Sequence, residues 1–133
     1  ENLLLQDILS ESNNIPDHQF GFRKQHSTTQ QCHRLVNIIN NSFEAKEYCS
    51  AVFLDVRQAF DKVWHEGLLL KIKYNLPSSY YEILKSYLTD RTFKVRVNCE
   101  TSNSFPISAG VPQGSVLGPF LYLLYTSDFP SLP

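Results

Sequence analysis

The sequence predicts an α+β fold on three patterns: apolar residues at helical spacing in several segments, one segment of two-residue alternation, and one short continuous apolar run. Leu3, Leu4, Leu5, Ile8 and Leu9 have helical spacing, and the helix they predict closes at the turn-like Ser12-Asn13-Asn14 before Pro16. After a loop at 18–26, Ser27 and Gln30 form a capping-box pattern. It opens a helix with Cys32, Leu35, Val36, Ile39 and Phe43 on its apolar face. Ala51-Val52-Phe53-Leu54 is an apolar run between polar residues, which suits a strand buried on both faces with Asp55 at its downstream end. A helical region is expected from about 61 to 75, weakest at Gly67. Ser79 and Glu82 make a second capping box for a helix through Ile83, Leu84, Tyr87 and Leu88, ended by Thr89-Asp90-Arg91. Phe93, Val95 and Val97 alternate with Lys94, Arg96 and Asn98, the pattern of a half-exposed strand, and 98–104 is expected to turn it back onto a partner near 105–108. Beyond Gly110, Ser115 is placed to cap a last helix carrying Leu117, Leu121 and Leu124.

Composition narrows the function classes. With 133 residues, 42% of them hydrophobic, and a net charge of -1, the chain is one globular domain or part of one. Disorder, a collagen-like repeat and a membrane span are excluded: the longest apolar stretch, 116–125, is short and contains Gly118 and Pro119. Twelve Lys and Arg against 13 Asp and Glu give no general attraction to nucleic acid, so any such contact is local. Cys32, Cys49 and Cys99 are odd in number and form no Cys-x-x-Cys pair, which favours a reducing, intracellular setting over a disulfide framework or a zinc ribbon. No secretory leader is visible, and the absence of any methionine is expected of a piece of a longer polypeptide. Repeats and low-complexity linkers are lacking too.

Two stretches carry candidate chemistry. In residues 51–65, Asp55 follows an apolar run, so its carboxylate is expected at a sheet rim, where a metal is held without burying an unpaired charge. Receiver domains and aspartyl phosphatases share that layout, although the phosphatase pattern wants a second Asp where Arg57 stands; a plain strand-end or capping role is the structural alternative. In residues 110–119, Gly110, Gly114 and Gly118 allow close backbone approach to a ligand or simply make a tight turn. A phosphate-binding P-loop is excluded, because no lysine follows Lys94. His18, His26, His33 and Cys32 match neither finger nor catalytic-zinc spacing.

A third stretch, 17–28, completes a pattern. Gln-Phe-Gly-Phe-Arg at 19–23, His-Ser-Thr at 26–28, Phe-Leu-Asp-x-x-x-Ala-Phe-Asp-x-Val-x-His at 53–65 and Gly-Val-Pro-Gln-Gly-Ser-Val-Leu-Gly-Pro at 110–119 occur in this order. Together they resemble the reverse transcriptase domain of non-long-terminal-repeat (LINE-type, jockey-like) retrotransposons, over nearly the whole chain. The resemblance implies a polymerase palm, an antiparallel sheet backed by helices, with part of the fingers: about 1–50 fingers and about 51–133 palm. It implies an RNA-directed DNA polymerase that extends a DNA primer on an RNA template with two Mg2+ ions and deoxynucleoside triphosphates. By the same resemblance Asp55 is the catalytic metal-binding aspartate, and the Val56 carbonyl completes the metal's shell. Backbone amides around Arg57 and Gln58 face the triphosphate, and Gln58 departs from the charged residue often found there. Phe60 matches the aromatic that excludes a ribose 2′-hydroxyl, with an ordinary core phenylalanine as the alternative. Gln113 and Gly114 belong to the nucleotide-side loop. Arg23 and Lys24, with Arg91 beside Lys94 and Arg96, are candidates for nucleic-acid phosphates, set against a solvated basic face. Asp61 is expected to cap or pair rather than bind metal, and His65 to pack or hydrogen-bond.

The family's adjacent aspartate pair, in a Tyr/Phe-Ala-Asp-Asp motif, is not found; Asp128 has no neighbouring aspartate. The chain is therefore expected to be incomplete and inactive alone, working with the remainder of a retrotransposon polyprotein, in the cytoplasm or nucleus and without a membrane. Two alternatives stand beside this: a catalytically dead retroelement remnant serving as a nucleic-acid or protein interaction module, and a metal-dependent phosphohydrolase. The latter leaves the Pro-Gln-Gly loop and 19–23 unexplained.

Overall fold

The computed structural model describes residues 1–11 and 15–129. In chain order the elements are α1 (Asn2–Glu11), α2 (Thr28–Glu44), α3 (His65–Asn75), α4 (Ser78–Leu88), β1 (Thr92–Phe93), β2 (Arg96–Val97), β3 (Glu100–Thr101), β4 (Phe105–Pro106) and α5 (Leu117–Tyr125). Helices with small antiparallel pairings make this a mixed α and β structure. It divides into two compact units, Glu1–Ile15 with Gln58–Pro133, and Pro16–Arg57. The turn expected at 12–14 lies outside the described residues.

The core of the larger unit is aliphatic. Ile8 of α1, Leu68 and Ile72 of α3, Leu84 and Leu88 of α4, and Leu117, Leu121 and Leu124 of α5 are buried together with Val63 and Val111. Each such side chain contributes about 1.5–3 kcal/mol. Helix α5, Leu-Gly-Pro-Phe-Leu-Tyr-Leu-Leu-Tyr, is apolar nearly all round and accordingly the most deeply buried, with six buried residues. Its start is fixed as the sequence predicts: Ser115 Oγ accepts from the Gly118 N–H at 2.9 Å and donates to the Pro112 carbonyl at 2.8 Å. Glu1 adds a carboxylate that accepts the Val116 N–H at 2.9 Å, a missed contact between chain positions 115 residues apart. That bond, first among several, holds the Glu1 carboxyl below its ordinary range.

Two helix starts differ from expectation. The Ser79/Glu82 box does not form: the Pro77 carbonyl already accepts from Tyr81 N–H at 3.3 Å, so α4 begins at Ser78 with Pro77 as its cap. The helix expected from about 61 begins only at His65 and then runs through Gly67. The preceding residues are drawn instead into pairing with 109–111, through a bridge between Trp64 and Ala109.

A hairpin forms at 92–106, but the single half-exposed strand expected at 93–97 is corrected: β1 and β2 are two short pairings with Val95 outside both, and Phe93, Val95 and Val97 are all exposed. Thr92 pairs with Pro106 and Phe93 with Phe105, whereas Arg96 pairs with Thr101 and Val97 with Glu100. The register slips by one between the two pairs, so the return strand carries a bulge at 102–104. Ser102 bridges the gap, its N–H donating to the Val95 carbonyl and its Oγ accepting from the Val95 N–H, both at 2.9 Å. The turn is tighter than the expected 98–104: it is Asn98-Cys99, with Asn98 at φ +54° in the left-handed region that asparagine tolerates.

In the smaller unit the Ser27/Gln30 capping box is complete, with bonds of 2.9 and 3.2 Å. Helix α2 carries the predicted amphipathic pattern but buries none of its residues. The strand expected at 51–54 is corrected. Residues 51–56 have no regular structure, and Val52, Phe53 and Leu54 are 83%, 80% and 75% exposed. An apolar run supplies side chains for burial, but a strand exists only where a partner backbone takes its N–H and C=O groups. Among the described residues none pairs with 51–56.

Candidate functional site

The larger unit joins two motifs that lie some 50 residues apart in the sequence. The Gly110 N–H donates to the Val63 carbonyl and the Val111 N–H to the Phe60 carbonyl, both at 2.8 Å. His65 Nε2 donates to the Gly110 carbonyl at 2.7 Å, in line with the hydrogen-bonding role expected of it. Gly110 is required here by both conformation and space. Its φ is +94°, and a Cβ would lie 2.8 Å from the Asp61 carbonyl oxygen.

Side chains complete the junction. Gln113 Nε2 donates to Asp61 Oδ1 at 2.9 Å. Asp61, Arg91, Ile107, Ala109, Gly110, Val111, Pro112 and Gln113 line a cavity of about 340 Å³. Arg91 is half-buried there, and among the described residues its guanidinium has no hydrogen-bond or ion-pair partner. Gly114 follows at φ +78°, exposed, with nothing within 4 Å of a Cβ position. Phe60 is half-buried beside the core and stacks on Tyr122, ring centroids 5.0 Å apart and planes at 27°. Gln58 opens this unit at φ +57°, its carbonyl accepting from the N–H groups of Asp61 and Lys62 at 3.1 Å.

The remaining candidates belong to the smaller unit. Asp55 and Arg57 are exposed, and Val56 is 58% exposed. Arg23 is engaged inside its own loop, its guanidinium donating to the carbonyls of Pro16 at 2.9 Å and Gln19 at 3.3 Å, with Asp17 3.8 Å away. Lys24 is exposed, and its carbonyl accepts from His26 Nδ1 at 2.9 Å. Asp55 and Val56 offer the hard oxygen donors that magnesium prefers, but among the described residues no three His, Cys, Asp or Glu side chains gather as a metal site. The donor type fits and the donor number does not. No helix among the described residues is long and apolar enough to cross a membrane.

Asp61 pairs, as expected, but no local pattern names Gln113 as its partner; the available signal is that both lie within the motifs that carry the resemblance. Ile107, Ala109 and Pro112 line the cavity without a distinguishing signal in the sequence.

Comparison with known proteins gives the family of the chain. The reverse transcriptase (RNA-dependent DNA polymerase) family matches residues 2–132, and the chain belongs to that family. Within it the similarity is to polymerases of jockey-type mobile elements. The chain is 56% identical over 126 residues, 95% of its length, to the probable RNA-directed DNA polymerase from transposon BS of Drosophila melanogaster. It is 50% identical over 134 residues, 98% of its length, to the RNA-directed DNA polymerase from mobile element jockey of the same species. A third relative, the retrovirus-related Pol polyprotein from type-1 retrotransposable element R2 of Popillia japonica, is 32% identical over 74 residues, covering 55% of this chain and 12% of the relative. The chain spans only 14% and 15% of the first two relatives. No solved structure matches it.

Proposed function

We propose that this chain is part of an RNA-directed DNA polymerase that extends a DNA primer on an RNA template, drawing on deoxynucleoside triphosphates. Family membership supports the reaction class. The observation that carries the site is the junction of 60–65 with 109–113, where Gln113 meets Asp61 at 2.9 Å beside a cavity that Arg91 also lines. In this reading residues 1–50 are a fingers portion and 51–133 a palm portion, and Gln113 and Gly114 are the loop that a nucleotide approaches.

Each residue's contribution follows from its chemistry. Gln113 offers an amide donor and acceptor to a base or sugar, and Gly110 brings the backbone of its loop against 61–63. Arg91 supplies a guanidinium suited to phosphate, and exposed Lys24 a second cation; Arg23 serves by holding its loop. Phe60 rejects a ribose 2′-hydroxyl by bulk, its ring steadied on Tyr122. Asp55 and the Val56 carbonyl would supply two oxygen donors to a magnesium ion, and the backbone amides of Arg57 and Gln58 would be donors for the triphosphate. When bound, the metal ions neutralise charge on the transferring phosphoryl group. Further ligands would come from a longer polypeptide, since the chain spans about a seventh of its relative from transposon BS.

The test is primer extension by the full-length polypeptide on RNA and DNA templates with magnesium. Extension on RNA supports the proposal. Nucleic-acid binding that is indifferent to magnesium, with no extension, identifies an interaction module instead.

A further inference from the structure

We infer that Asp61 is the positioning residue for the Gln113 side chain, fixing which end of that amide faces a bound nucleotide. The inference rests on the polymerase reading and assigns a role to a residue that the reading leaves unused.

An amide side chain has two chemically opposite ends of nearly equal size, and rotation by half a turn exchanges donor for acceptor. An ionised carboxylate only accepts, so Asp61 Oδ1 binds only the NH2 end of Gln113, as the 2.9 Å contact from Nε2 records. One N–H is thereby used, and Oε1 is turned away from Asp61 with the second N–H left to donate. The amide presents one acceptor and one donor in a fixed order, which suits recognition of a nucleotide's base edge or sugar hydroxyl.

Asp61 is itself well placed to do this. Its Cα and carbonyl carbon lie 3.0 and 3.1 Å from where a Cβ on Gly110 would stand, so its backbone packs directly under the loop that carries Gln113. The Asp61 N–H donates to Gln58 at 3.1 Å, closing the turn that leads into the junction. The carboxylate remains exposed and is held at 2.9 Å by Gln113 rather than by any lysine or arginine among the described residues. Both ends of the contact therefore sit on one backbone junction. The cavity beside it, with Arg91 on its wall, gives a nucleotide's phosphate a counter-charge within the same unit.

The test uses the full-length polypeptide with Asp61→Asn, Gln113→Ala and the double variant. Asn keeps the shape of Asp but offers both a donor and an acceptor, so either end of the Gln113 amide pairs with it and the order is lost. Primer extension gives kcat and KM for the deoxynucleotide, and fluorescence titration gives Kd for deoxynucleotide and for primer–template. Thermal denaturation checks folding.

For Asp61→Asn we expect kcat/KM to fall about tenfold, the scale of one charge-assisted hydrogen bond, at an unchanged melting temperature. In the Gln113→Ala background the same substitution is expected to change kcat/KM by less than about twofold, because its route of action is gone. A loss in nucleotide KM and Kd places the contact on the incoming nucleotide, and a loss in primer–template Kd places it on the template; either supports positioning. Additive losses in the double variant, or a parental Asp61→Asn, overturn the positioning role while leaving the polymerase reading intact. A parent protein that neither extends primers nor binds nucleotides overturns both.

Discussion

His65 Nε2 donates to the Gly110 carbonyl at 2.7 Å, across 45 residues of sequence, while the Gly110 N–H donates to Val63. Gly110 is thus gripped at both its polar groups by the segment that leads into α3. Replacing His65 with Phe keeps a ring and leaves the buried carbonyl without its donor. The expected cost is about 1–3 kcal/mol, read as a lower urea midpoint at unchanged slope. A parental midpoint would show that the contact carries no stability.

Two glycines in one loop should behave differently. Gly110→Ala forces a Cβ to 2.8 Å from the Asp61 carbonyl at φ +94°, and is expected to cost more than about 2 kcal/mol. Gly114→Ala, at φ +78° with open space around it, is expected to cost only the left-handed strain, about 1 kcal/mol. Thermal or urea midpoints of the two variants check the order, and equal losses would contradict the packing of Asp61 under Gly110.

Lys71 joins α3 to the last residue of α5 and to the chain beyond it, by hydrogen bonds to the Tyr125 carbonyl and the Asp128 carboxylate. The ammonium's hydrogen bond holds the Asp128 carboxyl below its ordinary range. A depressed folded-state pKa contributes stability that is present above the ordinary carboxylate value and lost as pH falls through the folded one. The Lys71→Met variant should raise the Asp128 titration midpoint, followed by carboxyl NMR, toward the ordinary value. Because the Asp128 carboxylate is solvent-exposed, its ion pair with the half-buried Lys71 is expected to contribute little to neutral-pH stability. An unmoved midpoint would remove Lys71 as the cause.

Phe60→Val in the full-length polypeptide should raise ribonucleotide incorporation relative to deoxyribonucleotide. The stack on Tyr122 is lost at the same time, and truncating even a fully buried Phe costs about 3–5 kcal/mol, so melting temperature is measured alongside. Unchanged sugar discrimination in a folded variant returns Phe60 to a packing role alone.

The residues that were legible in the sequence are those whose partners lie close along the chain. Ser27 and Gln30 read as a capping box because each finds its partner three residues away, and the hairpin that pairs Phe93 and Val97 is legible because the return segment follows within a dozen residues, although Val95 falls outside the pairing. Legibility fails where the partner is distant or competes. Val52, Phe53 and Leu54 look like a buried strand, yet burial depends on elements that a local pattern does not contain. Ser79 and Glu82 spell a capping box that Pro77 pre-empts. Asp61 and Gln113 sit 52 positions apart, so motif membership marks both while neither reveals that they touch.

Primer extension on an RNA template, with magnesium and four deoxynucleotides, compares the full-length polypeptide with its Asp55→Asn variant. Asn keeps the shape of the exposed Asp55 side chain and removes its charge. For a polymerase, the parent extends the primer and the variant loses at least about a hundredfold, the scale of removing one transition-state electrostatic contact. Equal extension by both proteins would contradict the assignment of Asp55, and no extension by the parent would contradict the polymerase function itself.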